Sequence, residues 1–164
     1  MKLLVFSDSH GDISNMLKVM DIHSDADVIV HLGDLVNDIT DVSYVAETKK
    51  NVRYEYVAGN GDYYSRYDVT QKIIQIEQKK IFLTHGHLFK IRYVDFSLMY
   101  EKGKELNCDV FLFGHTHIPF MEERNGCLYL NPGSISLPRS SAGRTYATVD
   151  IINSGKINAA IHKL

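Results

Sequence analysis

The sequence predicts an α/β domain in which two mixed β-sheets pack face to face with helices outside, an αββα sandwich. Three observations support this fold class. The first half of the chain alternates strand-like apolar runs with helical periodicity, the second half is rich in hairpin signals, and no linker, repeat or low-complexity segment interrupts the 164 residues. We therefore expect a single domain over residues 1–164, a length that one hydrophobic core can serve.

The first half shows the order strand, helix, strand, helix, strand. A strand over residues 2–7 is followed by Asp12, which can cap a helix whose apolar residues recur at helical spacing. Further strands are predicted over residues 27–31 and 53–57, with a second helix over residues 40–49 between them. This alternation is typical of a parallel sheet with right-handed crossovers.

The second half changes to hairpins. A helix is predicted over residues 95–106, followed by a buried strand over residues 109–113. The three predicted hairpins pair residues 72–77 with 80–83, 120–123 with 127–130, and 146–151 with 157–161. A parallel first half and a hairpin-rich second half together indicate two packed sheets.

The composition excludes several classes of protein. Lys and Arg total 18 against 20 Asp and Glu, so the formal net charge is -2 and no long basic run could follow duplex nucleic acid. No apolar stretch approaches the roughly 18 residues of a membrane span, and the run before Ser7 is too short for a secretion signal. Cys108 and Cys127 lie in apolar segments without metal-type spacing, which predicts buried, reduced thiols. We expect a cytoplasmic protein with no membrane partner.

Six short clusters of Asp, His and Asn follow strand-like apolar runs. They are Asp8 with His10, Gly33-Asp34, Gly59-Asn60-Gly61-Asp62, Thr84-His85-Gly86-His87, Gly114-His115-Thr116-His117 and Asn131-Pro132-Gly133-Ser134. Pairs at positions i and i+2, such as Asp8 with His10, suit a chain leaving a strand because alternate side chains point the same way. The clusters predict the ligand set of a two-metal hydrolase.

In this order and over nearly the whole chain, the clusters resemble the motifs of the calcineurin-like metallophosphoesterases. The resemblance is strongest to their small bacterial and archaeal phosphodiesterase branch, the YfcE-like proteins, and it implies a metallophosphoesterase-like sandwich. It also implies two metal sites, one formed by Asp8, His10, Asp34 and His117 and the other by Asp34, Asn60, His85 and His115. A bridging role for Asp34 agrees with carboxylate chemistry, since two oxygens can span ions about 3.5 to 4 Å apart.

The ligand chemistry narrows the expected metals and substrate. Imidazole, carboxylate and amide ligands without thiolate favour borderline divalent ions, so we expect two such ions, Mn first from the resemblance and Fe, Ni, Co or Zn as alternatives. A bridging hydroxide would be the nucleophile, and Asn60 could donate to the transition state. Two dications with Asp8, Asp34 and hydroxide leave a net charge of about +1, which favours a monoanionic phosphodiester. Gly61 stands where much of the superfamily has a His that assists the leaving group, so that acid is unassigned.

Four residues near the clusters have competing interpretations. Asp62 either closes a turn or orients a ligand, and His87 either supports its loop or contacts a metal-bound phosphate. Ser134 lies in a tight turn and is a candidate hydroxyl behind the ligands. Arg139 is either a surface residue or a bidentate phosphate contact.

The remaining polar residues are predicted to have structural roles or to line the substrate pocket. His31 is expected to pack at a strand end, and His23 and His162 to lie on the surface. Tyr63 and Tyr64 either wall a substrate pocket, where they could stack on a base, or pack in the core or at its rim.

Three functions are considered for this sequence. The first is a binuclear-metal phosphoric diester hydrolase acting on a small or nucleotide-like phosphodiester. The second is a metal-binding protein-interaction scaffold like the retromer subunit of the same fold, whose metal site is altered; the complete ligand set here favours catalysis. The third, a nuclease, would need an added DNA-binding domain and a basic surface, which this sequence lacks. The expected partner is a small molecule, with formation of a homo-oligomer left open.

Overall fold

Two five-stranded sheets dominate the structure, a computed structural model that describes residues 1–34, 52–62, 69–91, 95–152 and 155–164. In chain order, the helices and strands of these residues are β1 (Lys2–Phe6), α1 (Ser14–Ile22), β2 (Val28–His31), β3 (Arg53–Tyr56), β4 (Gln71–Ile76), β5 (Lys79–Thr84), α2 (Ser97–Leu106), β6 (Val110–Leu112), β7 (Phe120–Arg124), β8 (Cys127–Asn131), β9 (Thr145–Ile151) and β10 (Ile157–Lys163). The two sheets agree with the predicted fold class.

Both sheets are mixed. The first has the strand order β10-β9-β1-β2-β3, and the second has the order β4-β5-β6-β8-β7. β1, β2 and β3 are parallel in the first sheet, as are β5, β6 and β8 in the second. The three predicted hairpins form the antiparallel pairs β4–β5, β7–β8 and β9–β10, and β9 also pairs antiparallel with β1.

The core has three layers of apolar side chains, because successive residues of a strand face opposite sides of its sheet. In β1, Leu3 and Val5 lie between the two sheets, whereas Leu4 and Phe6 pack outward with apolar residues of α1. The outer face of the second sheet is aromatic and packs with α2, for example through Phe111. Each helix therefore covers the outside of one sheet.

The predicted boundaries lie within about two residues of the observed ones, except for the helix predicted over residues 40–49, which lies outside the described residues. α1 begins at Ser14, whose backbone N–H donates to the carboxylate of Asp12 at 3.2 Å. α2 ends at Leu106, and the next residue, Asn107, adopts the left-handed conformation common at helix C-termini. In the described ranges, no helix has the length and apolar character needed to cross a bilayer.

Candidate metal centre

The candidate ligands lie where parallel strands of both sheets end. Asp8 and Asp34 follow β1 and β2 of the first sheet, while His85 and His115 follow β5 and β6 of the second. The backbone of the second sheet touches the first here, because the N–H of His115 donates to Oδ2 of Asp8 at 3.1 Å. The carboxyl ends of the strands therefore bring together polar side chains that are far apart in sequence.

A first group of donor atoms converges at this edge. One ligand atom each from Asp8, His10, Asp34 and His117 lies within 4.8 Å of the others. Nε2 of His117 is 3.2 Å from Oδ1 of Asp8, and Nε2 of His10 is 3.7 Å from Oδ2 of Asp34. These four residues are the set that the sequence resemblance assigns to one metal ion.

A second group lies on the other side of Asp34. Nε2 of His85 is 3.3 Å from Oδ1 of Asp34, and the rings of His85 and His115 are 5.1 Å apart. Asn60 is exposed in the adjoining loop, whose Gly61 N–H donates to the same Oδ1 at 2.7 Å. The two oxygens of Asp34 thus face different imidazoles, Oδ2 toward His10 and Oδ1 toward His85.

Hydrogen bonds fix the orientation of two of the imidazoles. Nδ1 of His85 is 2.8 Å from the carbonyl oxygen of Leu32, and Nδ1 of His117 is 2.6 Å from that of Leu137. A carbonyl only accepts, so both Nδ1 atoms carry the proton, and in the neutral ring the lone pair of Nε2 faces the carboxylates. Backbone support of this kind is common behind metal-binding histidines.

The donor set fits divalent metal ions. Oδ1 of Asp8 and Nε2 of His85 are buried and have no hydrogen-bond partner, although buried polar atoms normally have one. A neutral His85 would direct a lone pair at two carboxylates, an arrangement that a cation between them stabilises. Imidazole nitrogens and carboxylate oxygens are suitable ligands for the borderline divalent metals.

The neighbouring charges also shift two pKa values. Burial acts to raise the pKa of Asp8, but the nearby His117 and His85 lower it below its ordinary value. Burial acts to lower the pKa of His117, but Asp8 raises it above its ordinary value. Protonation of His117 and binding of a cation would both compensate the buried carboxylate of Asp8, so metal and proton would compete for this group of side chains.

The backbone corrects one sequence argument. Five candidate ligands have positive φ, a conformation that is uncommon for residues other than glycine: Asp8 (55°), His10 (47°), Asp34 (60°), His115 (69°) and His117 (59°). The alternation of side chains along an extended strand therefore does not bring these side chains together, neither Asp8 with His10 nor His115 with His117. Tight left-handed turns after the strands direct them inward, and such backbone strain commonly marks functional sites.

Serine side chains support the first of these turns. The hydroxyl of Ser134 donates to the carbonyl of Asp8 at 2.7 Å, and that of Ser136 lies within 3.0 Å of the carbonyls of Asp8 and Ser9. Ser134 is fully buried and supports the backbone of the candidate ligand Asp8. The turn at residues 131–134 thus lies behind the loop that carries Asp8.

Glycines permit the close approach of these loops. A Cβ atom on Gly59 would lie 2.4 Å from the backbone nitrogen of Asp34, and one on Gly114 would lie 1.9 Å from Oγ of Ser7. Both distances are far below van der Waals contact, so any larger residue would displace a ligand loop.

His31 is a structural residue of the site whose role the sequence did not reveal. It is fully buried at the end of β2, and burial lowers its pKa from 6.5 to about 4, so the ring is neutral. The N–H of Gly33 donates to Nδ1 at 3.1 Å, and Nε2 then donates to Oγ of Ser9 at 2.8 Å. His31 thereby links the loop of Asp8 and His10 to the loop of Asp34.

The other candidates are distributed around the centre. Oδ2 of Asp62 accepts the N–H of Gly59 at 2.6 Å, so Asp62 closes its turn. His87 is half-buried, its ring is 5.4 Å from that of His85, and burial followed by the charge of His85 lowers its pKa. Arg139 is exposed, and its backbone N–H donates to the carbonyl of His117 at 3.2 Å.

His23 and His162, which were predicted on the surface, are partly exposed and partly packed, and one pair of residues is not described. Both rings pack on Tyr146, and Nε2 of His23 is 3.0 Å from its hydroxyl. Tyr63 and Tyr64 lie outside the described residues.

Comparisons with known proteins agree on one family. The profile of the calcineurin-like phosphoesterase superfamily domain matches residues 1–154. The phosphodiesterase YfcE of Escherichia coli is 31% identical over 92% of this chain and 88% of its own. The probable metallophosphoesterase YsnB of Bacillus subtilis is 32% identical over 93% of this chain and 86% of its own.

Solved structures show the same fold. A predicted phosphoesterase from Streptococcus pneumoniae superposes with a TM-score of 0.80 at 31% identity, covering 99% of this chain and 88% of that one. Vacuolar protein sorting 29 from Cryptosporidium parvum superposes with a TM-score of 0.74 at 21% identity, covering 99% and 97%. The second likeness concerns the fold alone.

Proposed function

Because the chain belongs to the calcineurin-like phosphoesterase superfamily, we propose that it is a metal-dependent phosphodiesterase acting on a small or nucleotide-like phosphodiester. The observation that carries the proposal is the convergence of two groups of donor atoms on the two oxygens of Asp34. A carboxylate in this position can serve two ions at once.

In this proposal the two groups hold two divalent ions, Mn²⁺ being our first choice. One ion would be held by Asp8, His10, Asp34 and His117, and the other by Asp34, Asn60, His85 and His115. When bound, the ions would supply Lewis acidity at the phosphate and lower the pKa of a water molecule. The side chains of the chain set the geometry, and the carbonyls of Leu32 and Leu137 keep the Nε2 atoms free to ligate.

The charge of the site favours a diester over a monoester. Asp8 and Asp34 are the only carboxylates in the proposed ligand set, so two divalent ions and a hydroxide leave a net charge of about +1. His87 adds no fixed positive charge, because its pKa lies below its ordinary value. A monoanionic phosphodiester therefore matches the site better than a dianionic monoester.

The leaving group should be a good one. Gly61 offers no side chain beside Asn60, and the lowered pKa of His87 disfavours its protonated, acidic form. Without an assigned acid, an aryl or nucleotide-like leaving group that departs as a stable anion is favoured.

A comparison of substrates tests the proposal. Protein stripped of metal and reloaded with Mn²⁺ should hydrolyse bis(4-nitrophenyl) phosphate with a higher kcat/KM than 4-nitrophenyl phosphate. Asp34→Asn should abolish this activity, whereas Asp25→Asn, which changes an exposed carboxylate paired with Lys2, should not. A preference for the monoester would contradict the phosphodiesterase assignment, and a folded, metal-loaded protein inert toward both esters would favour the scaffold function.

A further inference from the structure

The two cysteines of the chain are in contact. Sγ of Cys108 and Sγ of Cys127 are 3.5 Å apart although 19 residues separate them in sequence. Both residues are free and buried, with 6% and 4% of their surface exposed. They lie on the outer face of the second sheet, among the aromatic residues that pack with α2.

The backbone around the two thiols is compatible with a disulfide. Cys127 begins β8, and Cys108 lies two residues before the start of its parallel neighbour β6. The N–H of Leu128 donates to the carbonyl of Asp109 at 2.9 Å, so the two backbone segments that carry the cysteines are hydrogen-bonded to each other. The register places Cys127 opposite Asp109, so Cys108 is offset from it by one residue. With strands about 4.8 Å apart and a rise of about 3.3 Å per residue, this offset gives roughly 5.8 Å, within the range that disulfides span. The sulfur atoms need to move about 1.5 Å closer.

A small cavity leads to the thiols. It has a volume of about 70 Å³ and is lined by both cysteines, the aromatic rings of Tyr100 and Tyr129, and the cationic residues Lys104 and Arg124, among others. Two or so water molecules would fill such a space, which admits a small oxidant and excludes a bulky one. Lys104 is exposed and the side chain of Arg124 is 51% exposed, so the cavity has a cationic rim open to solvent.

The two thiols are hydrogen-bonded to each other, and either S–H can be the donor. An S–H donated by one cysteine stabilises the thiolate of the other, so the pair ionises more readily than an isolated buried thiol. A thiolate is the nucleophilic form of cysteine, and nearby cations favour it. The cationic rim of the cavity therefore favours a reactive thiolate in this pair.

We propose that Cys108 and Cys127 form a peroxide-sensitive dithiol that closes to an intramolecular disulfide. The thiolate of one cysteine attacks one oxygen of hydrogen peroxide, the O–O bond breaks, and the departing hydroxide takes up a proton to become water. The sulfenic acid left on that cysteine is then attacked by the sulfur of the other. The S–O bond breaks, the departing hydroxide takes the proton of the second thiol and leaves as a second water, and two thiols have been oxidised while one peroxide has been reduced.

The disulfide would join β6 to β8 at the ends opposite the candidate metal centre. His115 and His117 follow the carboxyl end of β6, whereas Cys108 precedes its start. The proposal therefore does not depend on the phosphodiesterase function, and replacing either cysteine should leave metal binding unchanged.

The test is oxidation of the folded protein. Native protein is treated with hydrogen peroxide, its remaining thiols are alkylated, and its mass and peptides are measured without reductant. We expect the loss of two hydrogen atoms, a linked pair of peptides containing Cys108 and Cys127, and reversal by dithiothreitol. In each single variant, Cys127→Ser and Cys108→Ser, dimedone should trap a sulfenic acid on the remaining cysteine.

Two results would overturn the proposal. One is a folded protein, checked by circular dichroism, that forms no disulfide while the urea-unfolded chain does. The other is a pair of folded single variants in which dimedone traps no sulfenic acid on the remaining cysteine, which would show that the site does not react with peroxide. If a serine variant fails to fold, the corresponding Cys→Ala variant replaces it, since alanine adds no polar atom to the apolar site.

Discussion

At the residue scale, Asp34 is the side chain on which both candidate ion sites depend. Its Oδ1 faces His85 and its Oδ2 faces His10, while Asp8 contributes to only one of the proposed sites. We expect Asp34→Asn to weaken the binding of both ions by at least about tenfold, and Asp8→Asn to weaken mainly one. Isothermal titration with Mn²⁺ and metal analysis give the stoichiometry. Two ions retained with unchanged affinity in Asp34→Asn would contradict the bridging role.

His31 makes stability depend on pH. Its ring is neutral in the fold with a pKa of about 4 but titrates near 6.5 when unfolded, so the unfolded chain binds more protons between these values. The free energy of unfolding should therefore fall by about 3 kcal/mol as the pH drops from 6.5 to 4, and be fully present above 6.5.

Urea unfolding of the metal-free protein across this pH range measures the effect, with two variants as probes. His31→Gln removes the titration and should flatten the pH dependence relative to wild type. His31→Asn keeps an acceptor for the N–H of Gly33 and should retain more stability and metal affinity than His31→Ala. An unchanged pH dependence in His31→Gln would show that His31 is not the responsible group.

Gly61 offers a test of leaving-group chemistry. A histidine there could supply a proton, an effect typically worth about 10² to 10⁴-fold when the geometry is right, so Gly61→His should narrow the gap between diester and monoester turnover. Its Cβ would lie 3.1 Å from Oδ1 of Asp34, which must shift by a few tenths of an ångström.

Gly61→Ala is the matched control for this variant, because it adds the same Cβ without the imidazole. The measurement is kcat/KM for both esters at equal metal content. A gap that narrows equally in the two variants would assign the effect to the displaced carboxylate rather than to proton donation.

At the scale of elements, the two sheets meet where the loop after β6 crosses the loop after β1. A Cβ on Gly114 would lie 1.9 Å from Oγ and 2.9 Å from Cβ of Ser7. Gly114→Ala should therefore reduce the free energy of unfolding by about 1 to 3 kcal/mol and weaken metal binding. Denaturant unfolding and titration with Mn²⁺ measure the two effects.

The double variant Ser7→Gly/Gly114→Ala separates steric overlap from other causes. Removing the Ser7 side chain empties the space that the new methyl group needs, so the double variant should lose less stability than the sum of the two single changes. Strict additivity would show that the two loops are not in steric contact.

The elements themselves followed well from sequence patterns. Short apolar runs located strands such as β1, and the polar turns located the hairpins. The sequence did not show which sheet each hairpin joins: β9 pairs with β1, more than 140 positions earlier, and no local pattern encodes that pairing. Tertiary contacts decide such partners.

The candidate site was predictable as a set of residues but not as a geometry. The clusters of Asp, His and Asn revealed which side chains converge, yet their left-handed backbone follows from packing against buried serines and glycines. His31 was predicted only as a packing residue, because its two hydrogen bonds link loops that are separate in sequence. The contact of Cys108 with Cys127 was hidden for the same reason.

At the scale of the whole molecule, the fold should not depend on the metal ions. The layer between the sheets consists of fully buried apolar side chains from both, and a chain of this length can be held by such a core. Chelation should abolish hydrolysis. It should lower the free energy of unfolding only by the amount linked to ion binding, about 2.7 kcal/mol per ion at a hundredfold excess over Kd.

Far-UV circular dichroism before and after chelation, followed by addition of Mn²⁺, checks this expectation. The spectrum should persist and the activity should return. Collapse of the spectrum on chelation would mean that the ions hold the fold together.

The hydrogen bonds from Ser134 and Ser136 to the loop of Asp8 have a consequence for how the protein is made. They join residues 126 and 128 positions apart, so the first ligand loop emerges from the ribosome long before its supports. β1 likewise pairs with β2 on one edge, and its other edge stays unpaired until β9 has been synthesised. A growing chain folds from its N-terminal side as synthesis proceeds, but here an early segment is completed by a late one. If the proposed ion sites are correct, metal capture would therefore be a late event in biosynthesis.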